Sequence, residues 1–578
     1  MDRRAFVNLP TLPASEDLFA YWARQAPPLF RIGPEHEKSH LLKLLGRTPK
    51  VSLPVVAKNG QTRLQPLKIE AGLEAYAKEL DRIHAAHLLR RTTGSAHPDE
   101  LNALIGKTVE AAVDEIVDAA LVQPLPEPPV WIDEGVPRDR AERQVYFNEL
   151  NPMRLNELYG DIMRQIYYGG LRERMAMFWH NHFVTEIDTY IIAPVAHRYL
   201  TLLRTHALGN FKDFVHAVGL DIAMLVYLNG IQNEAGAPNE NYGRELLELF
   251  TMGQFDGQGN ENYTQQDIEE IARALTGWLI DPYELTVQMV SLRHDFGEKT
   301  VFGRTGPWGY DDVIDLIFEE RADQIAEFIV RKLYAAFVYA VPDEDLVAEL
   351  AQVFLDHDFE IAPVLRAIFK SAHLHDDQVI GAQIKSPAAM VTGLLREAGV
   401  EPEENQFFLL YFGALILGQR LLDPPNVAGW QGHHAWLNTS TFPTRWLASE
   451  FLIFGDNNLY PRLDLRPLSE TLLAAQSIDP NDPASVFPLA VALAEHLLPV
   501  PLDILDLSAP SDGFAGDLDG NPIPDEIAGG PAYALDLAKI FLLGQFPWYE
   551  WSLNHPLAQA VLMFYARSLS QLPEYQLT

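Results

Sequence analysis

Apolar residues recur at spacings of three and four along most of this chain, and that spacing predicts helices. The pattern runs over residues 71–122, where HLLRRTTG and HPDELNALIG read as two helices separated by Gly94 and a Pro-containing start. A Pro-rich loop follows at 123–129. Helical periodicity returns over 153–280 and again over 309–420, and the tail from 460 places helical segments around a polar loop at 511–530. In YTQQDIEEIARALTGW, Thr264 caps the helix with Asp267 at the third position, and Ile268, Ile271, Ala272, Leu275 and Trp278 form its buried stripe. Two stretches differ. Residues 51–56 and 62–69 alternate around Asn59-Gly60, the favoured hairpin turn, and residues 286–303 alternate with an expected turn at Gly297. The fold class expected is therefore mainly α, a large multi-helix body with small β-hairpin insertions. Residues 1–70 read as an irregular N-terminal arm with a small hairpin, and 71–578 as a single helical domain without a fixed-period repeat.

Polar residues on otherwise apolar helices carry the candidate chemistry. In NENYGRELLELFTMG, residues 239–253, Tyr242, Leu246, Leu249 and Phe250 cover one arc, and Asn241, Arg244, Glu245 and Glu248 gather on another, roughly 100° wide. Two carboxylates beside an arginine suit a cation site, a general base or a solvated face. Apolar residues on the remaining flanks, Leu247 among them, lead us to expect both carboxylates buried. On the helix ending in FWHNHF, His182 shares a face with Leu171, Met175 and Phe178, while His180 points away, about 200° round the helix. The two cannot hold one metal. His182 reads either as a core histidine bonded to a buried carbonyl or as a ligand or general base, and Asn181 as a helix-terminating cap. His294-Asp295 lies near a turn, either as a functional loop or as a turn in which Asp295 bonds the backbone. Trp430 and Trp436, beside His433 and His434, form a carbohydrate-stacking surface or pin a loop onto the core. The oxygen-rich stretch 512–526 does not have the spacing of an EF-hand loop.

Composition narrows these choices. With 578 residues, 48% hydrophobic content and ten tryptophans, the chain can bury a large core. Its formal charge of −35 is the opposite of a nucleic-acid footprint, and its longest apolar run, 407–417, is too short to span a bilayer. Without cysteine there are no disulfides, thiolate metal sites or cysteine nucleophiles. Arg3-Arg4 and Phe6 are like part of a twin-arginine export signal, but Pro10 and Pro13 interrupt the apolar segment such a signal needs.

Seven phrases, taken in order, resemble the bacterial family catalogued as domain of unknown function 1800. They are HLLRRTTG (87–94), RMAMFWHNHF (174–183), NENYGRELLELFTMG, YTQQDIEEIARALTGW (263–278), HDFGEKTVFG (294–303), RLLDPPNVAGWQGHHAWL (420–437) and LSQLPEYQL (569–577). The resemblance runs from about residue 80 to the end. It implies no settled activity. It does imply frequent export, at odds with the incomplete signal here, so the compartment is cytoplasmic or periplasmic. It also implies a protein partner resembling sulfatases or phosphatases.

Taken together, we expect the phrases to converge on one cleft. The working expectation is a metal-dependent hydrolase of an ester or extracellular polymer. A divalent metal would be held by His182, Glu245, Glu248 and His294 through nitrogen and oxygen ligands. His182, Glu245 and His294 would double as base or acid, with Arg244 as oxyanion stabiliser. The alternative is a non-enzymatic helical scaffold working with the phosphatase-like neighbour.

Overall fold

Several helices in this protein begin where short polar side chains meet free backbone N–H groups. Asp81, Thr108, Asn210 and Ser386 each accept from the first turn of the helix that follows, and Thr264 and Asp267 form the reciprocal box expected from the sequence. In the computed structural model the described residues are 55–58, 61–455, 463–505, 531–542 and 546–578, all within the compact unit 51–578. Residues 1–50, the Asn59-Gly60 turn and the loop 511–530, with its oxygen-rich stretch, lie outside them. The architecture is mainly α with small β ladders, as the periodicity indicated. Among the described residues no helix is long and apolar enough to cross a membrane.

Three two-stranded antiparallel ladders are present among the described residues. Val55–Lys58 pairs with Gln61–Leu64, the hairpin expected around Asn59-Gly60. The expected hairpin turning at Gly297 is replaced by two others. Trp278–Asp281 pairs with Thr286–Met289, and Lys299–Val301 pairs with Arg304–Gly306. The reason is local. Asp295 takes the Gly297 N–H at 2.8 Å, and the buried Lys299 ammonium donates to the carbonyls of Asp295 and Gly297, so 295–297 closes into a loop. The tight turn falls at Phe302-Gly303 instead, where φ is +48° and +80°, the conformation of a primed hairpin turn. Trp278 correspondingly leaves the helix, which ends at Ala274, and starts a strand.

The helix Gly170–His182 sits at the centre of the body. It packs against Arg82–Thr93, Val109–Val122, Asn151–Tyr168 and Ala193–Thr205, and is buried around most of its circumference. Its Trp179 is fully buried among Phe183, Phe211 and Phe214, with the indole N–H donated to Ala207 at 2.9 Å. A buried aromatic of this size contributes about 3–5 kcal/mol by the cost of truncating it. Polar atoms in such a setting must find partners, which constrains what the histidines beside it can do.

Candidate functional site

The three polar residues of FWHNHF each tie down a different distant segment. The Nε2 of His180 accepts the Leu422 N–H at 3.1 Å, and burial pushes its imidazole down to about 4. Asn181 clamps Trp430 from both sides, accepting its N–H at 2.7 Å and donating to its carbonyl at 3.1 Å. It is therefore not the helix cap expected; Phe183 closes the helix. Gly429 permits the clamp. Its φ is +79°, and a Cβ there would stand 2.4 Å from Asn181 Oδ1 and 2.5 Å from the Asn181 carbonyl oxygen. His182 donates from Nε2 to the Phe250 carbonyl at 2.9 Å, so its Nδ1 accepts from Lys332 Nζ at 3.0 Å. Both ring nitrogens are engaged, as in the core-histidine alternative.

The NENYGRELLELFTMG helix departs from ideal pitch. Asn241–Glu245 is α, but Leu246–Thr251 widens into a π-helix, with the Met252 N–H reaching back to Leu247. The freed carbonyls of Leu249 and Phe250 are met by Lys332, at 2.9 Å, and by His182. Glu245 and Glu248 are half-buried rather than buried. Desolvation, and then the neighbouring Glu248, raises the Glu245 carboxyl above its usual range. Arg244 turns away from both, to Glu240 at 2.9 Å and Gln265 at 3.1 Å.

The expected ligand set is not assembled. His294 donates from Nδ1 to the Thr276 carbonyl at 2.8 Å, and Asp295 pairs with Arg273 at 2.8 Å. Asp295 also bonds the Gly297 backbone, as in the turn alternative. Among the described residues, no three His, Asp or Glu side chains are grouped to hold a metal ion, so His182, Glu245, Glu248 and His294 do not form one centre. The phrases around 263–278 and 294–303 brace one another instead. Asp267 accepts the Phe302 N–H at 2.7 Å and Glu270 the Thr300 N–H at 3.0 Å.

Four of the other phrases meet at a partly open cavity of about 480 Å³, a volume typical of small-molecule sites. Arg90, Thr93 and Gly94 come from HLLRRTTG, and Arg174, Phe178 and Asn181 from RMAMFWHNHF. Trp430, Gln431, His433 and Trp436 come from RLLDPPNVAGWQGHHAWL. The closing phrase supports the far wall, where Lys385 donates its N–H to Gln576 at 2.8 Å and Ile384 bridges Leu577. Lys332 and Lys385 lie outside all seven phrases, yet both line the cavity.

The charge inside the cavity is opposite to that of the chain. Glu173 is the one side-chain carboxylate among the described lining residues, and Arg204 holds it in a buried bidentate pair at 2.7 and 2.9 Å. Arg90 is likewise matched, to Glu397 at 2.8 Å. Three cations remain. Arg174 has no hydrogen-bond or ion-pair partner among the described residues and lies 5.9 Å from the Phe337 ring centroid. Among the described residues Lys332 gives its ammonium only to neutral acceptors, and burial lowers it to about 7. Lys385 is 1% exposed, and its ammonium makes no hydrogen bond among the described residues. It lies 3.9 Å from the Tyr575 ring and 3.9 Å from Glu397 Oε2, and burial lowers it to about 8. Glu397 already serves Arg90, so Lys385 is left with half of a partner.

Sequence reasoning reached Arg90 and Arg174 only as members of phrases and missed both lysines. The available signal was a lysine inside an apolar run, Lys332 in IAEFIVRKLYAAF and Lys385 in VIGAQIKSPAAM. Neither a curated protein nor a solved structure matches this chain. The side chains that build the cavity from Arg90 to Trp436 all fall inside residues 87–505, the span matched by a family model, and the chain accordingly belongs to that family, described as "Protein of unknown function (DUF1800)".

Proposed function

We propose that this protein binds, in this cavity, a small ligand bearing a phosphate, sulfate or carboxylate group. One observation carries the reading. Among the described residues the Lys385 ammonium is almost fully buried, makes no hydrogen bond, and shares its cavity with Arg174 and Lys332, while the one lining side-chain carboxylate, Glu173, is paired with Arg204. A buried cation without a full partner is costly, and an oxyanion would supply the missing acceptors. Calorimetric titration with sulfate and with phosphate tests it. One bound anion per chain is expected, with Lys385→Met weakening it by about tenfold or more. Absence of binding by both anions, or an unchanged affinity in K385M, contradicts the proposal.

The Lys332–His182 contact favours a second reading, hydrolysis of an ester of that anion. A lysine held near 7 is partly neutral at physiological pH and can take a proton from water, with His182 fixing its position. This version keeps the hydrolase expectation but moves it from a metal to an amine. Turnover of p-nitrophenyl phosphate or p-nitrophenyl sulfate, lost in Lys332→Ala, would support it. An inactive wild-type protein that still binds the anion would leave binding as the function. The scaffold alternative expects no convergent charged groups, and the cavity weighs against it.

A further inference from the structure

The cavity is far larger than a lone tetrahedral oxyanion requires, so the ligand has a body as well as a charge. We propose that this body is a hydroxylated ring, making the ligand a monosaccharide phosphate or sulfate whose sugar lies against the indoles of Trp430 and Trp436. The inference rests on the anion-binding reading above and names its substrate class.

Two features of the wall point to a sugar. The first is the aromatic surface. Trp430 and Trp436 both line the cavity, with ring centroids 6.3 Å apart and planes inclined at 40°. They form a wedge rather than a parallel slot, which suits a puckered ring better than a flat base. The wedge is set before any ligand arrives. Asn181 holds the Trp430 backbone at both its N–H and its carbonyl, and the His180 ring stacks on the indole at 5.6 Å and 11°. Pre-ordering of this kind lowers the entropic cost of binding.

The second feature is neutral hydrogen-bonding capacity beside the indoles. Gln419 spends its amide oxygen on the Ala388 N–H at 2.9 Å, and its amide nitrogen has no described partner. The Gln431 side chain makes no hydrogen bond among the described residues. An alkyl chain would leave these amides unpaired, whereas hydroxyls both donate to and accept from them. The set of contacts is thus that of a carbohydrate site with an anion clamp formed by Arg174, Lys332 and Lys385.

The test is a titration of the wild-type chain with inorganic phosphate, hexyl phosphate, AMP, and a panel of hexose 6-phosphates and 6-sulfates, followed by calorimetry and tryptophan fluorescence. At least one hexose ester is expected to bind about tenfold tighter than the other three ligands. Trp436→Ala should erase that advantage while leaving inorganic phosphate unchanged. Gln431→Ala should reduce it about threefold. An unchanged melting temperature certifies both variants as folded, and Gln431, on an exposed position, serves if W436A fails to fold. If inorganic phosphate binds but no hexose ester exceeds it, the sugar proposal falls and the anion reading stands. Tightest binding by hexyl phosphate or AMP, or an advantage that survives both variants, overturns it as well. If no anion binds, both readings fall together.

Discussion

The end of the helix Gly170–His182 and the stripe on Asn241–Glu245 and its π-helical continuation look alike in sequence, each a set of polar side chains on an apolar helix. In the structure they differ. At the first, His180, Asn181 and His182 each bond to backbone of a distant segment, and the two histidines are buried. At the second, Glu245 and Glu248 are half-buried and Arg244 leaves them for Glu240. The comparison teaches that a polar residue on an apolar face first signals a tertiary hydrogen bond to backbone. Unmatched charge is the better mark of a ligand, and here it sits on Arg174, Lys332 and Lys385.

Changes at the buried helix should therefore cost far more than changes at the stripe. Glu173→Gln leaves Arg204 as an unpaired buried cation and should lower stability by about 3–5 kcal/mol in denaturant unfolding. A loss below about 1 kcal/mol would mean that the pair is not enclosed. Gly429→Ala forces a Cβ against Asn181 at a positive φ, and about 3 kcal/mol should be lost. A near-neutral result would show that the Trp430 loop is not clamped to the helix end.

Acid should find the same interior. Burial holds His496 and His375 down to about 4, against an ordinary 6.5. Between those values the unfolded chain binds more protons than the folded one, so stability is full above pH 6.5 and declines as pH falls towards 4. For His496, fully buried, the loss is about 3 kcal/mol. His496→Gln should flatten this part of a melting-temperature profile, and an unaltered profile would contradict the assignment. Lys385 titrates in the opposite functional sense. With its ammonium held near 8, sulfate affinity should fall as pH rises from 7 to 9, and that dependence should vanish in Lys385→Met. The same variant should keep or raise stability by about 1 kcal/mol, because it removes a poorly matched buried charge. The smallest effect belongs to the stripe. Glu245→Gln should change stability by at most about 0.5 kcal/mol at neutral pH, and a loss of 3 kcal/mol would restore it as a buried site.

Periodicity and capping made the helical body legible in advance, because both are local. The Thr264–Asp267 box and the buried Ile268, Ile271 and Ala272 follow from spacing alone. What spacing could not show was non-local. The hairpin at 286–303 was misplaced because Lys299 and Asp295, four residues apart, close a loop that alternation alone resembles. The site was half legible. The phrases bearing Arg90, Arg174 and Trp430 do converge, but ideal pitch hid the π-helix that presents two carbonyls to Lys332 and His182. Lys385 shows locally only as a lysine in an apolar run, and its incomplete pairing is non-local, since Arg90 holds Glu397 by one oxygen and the other stays 3.9 Å from the ammonium.

The most direct test of the cationic cavity is to grow crystals of the protein, soak them in tungstate, and locate the metal-oxyanion by its anomalous scattering. The account predicts one strong site inside the cavity, with oxygens within hydrogen-bond distance of Lys385 Nζ and of Arg174 or Lys332. Tungstate bound only at the outer surface, with the cavity free of it, would contradict the claim that these cations are arranged for an anion.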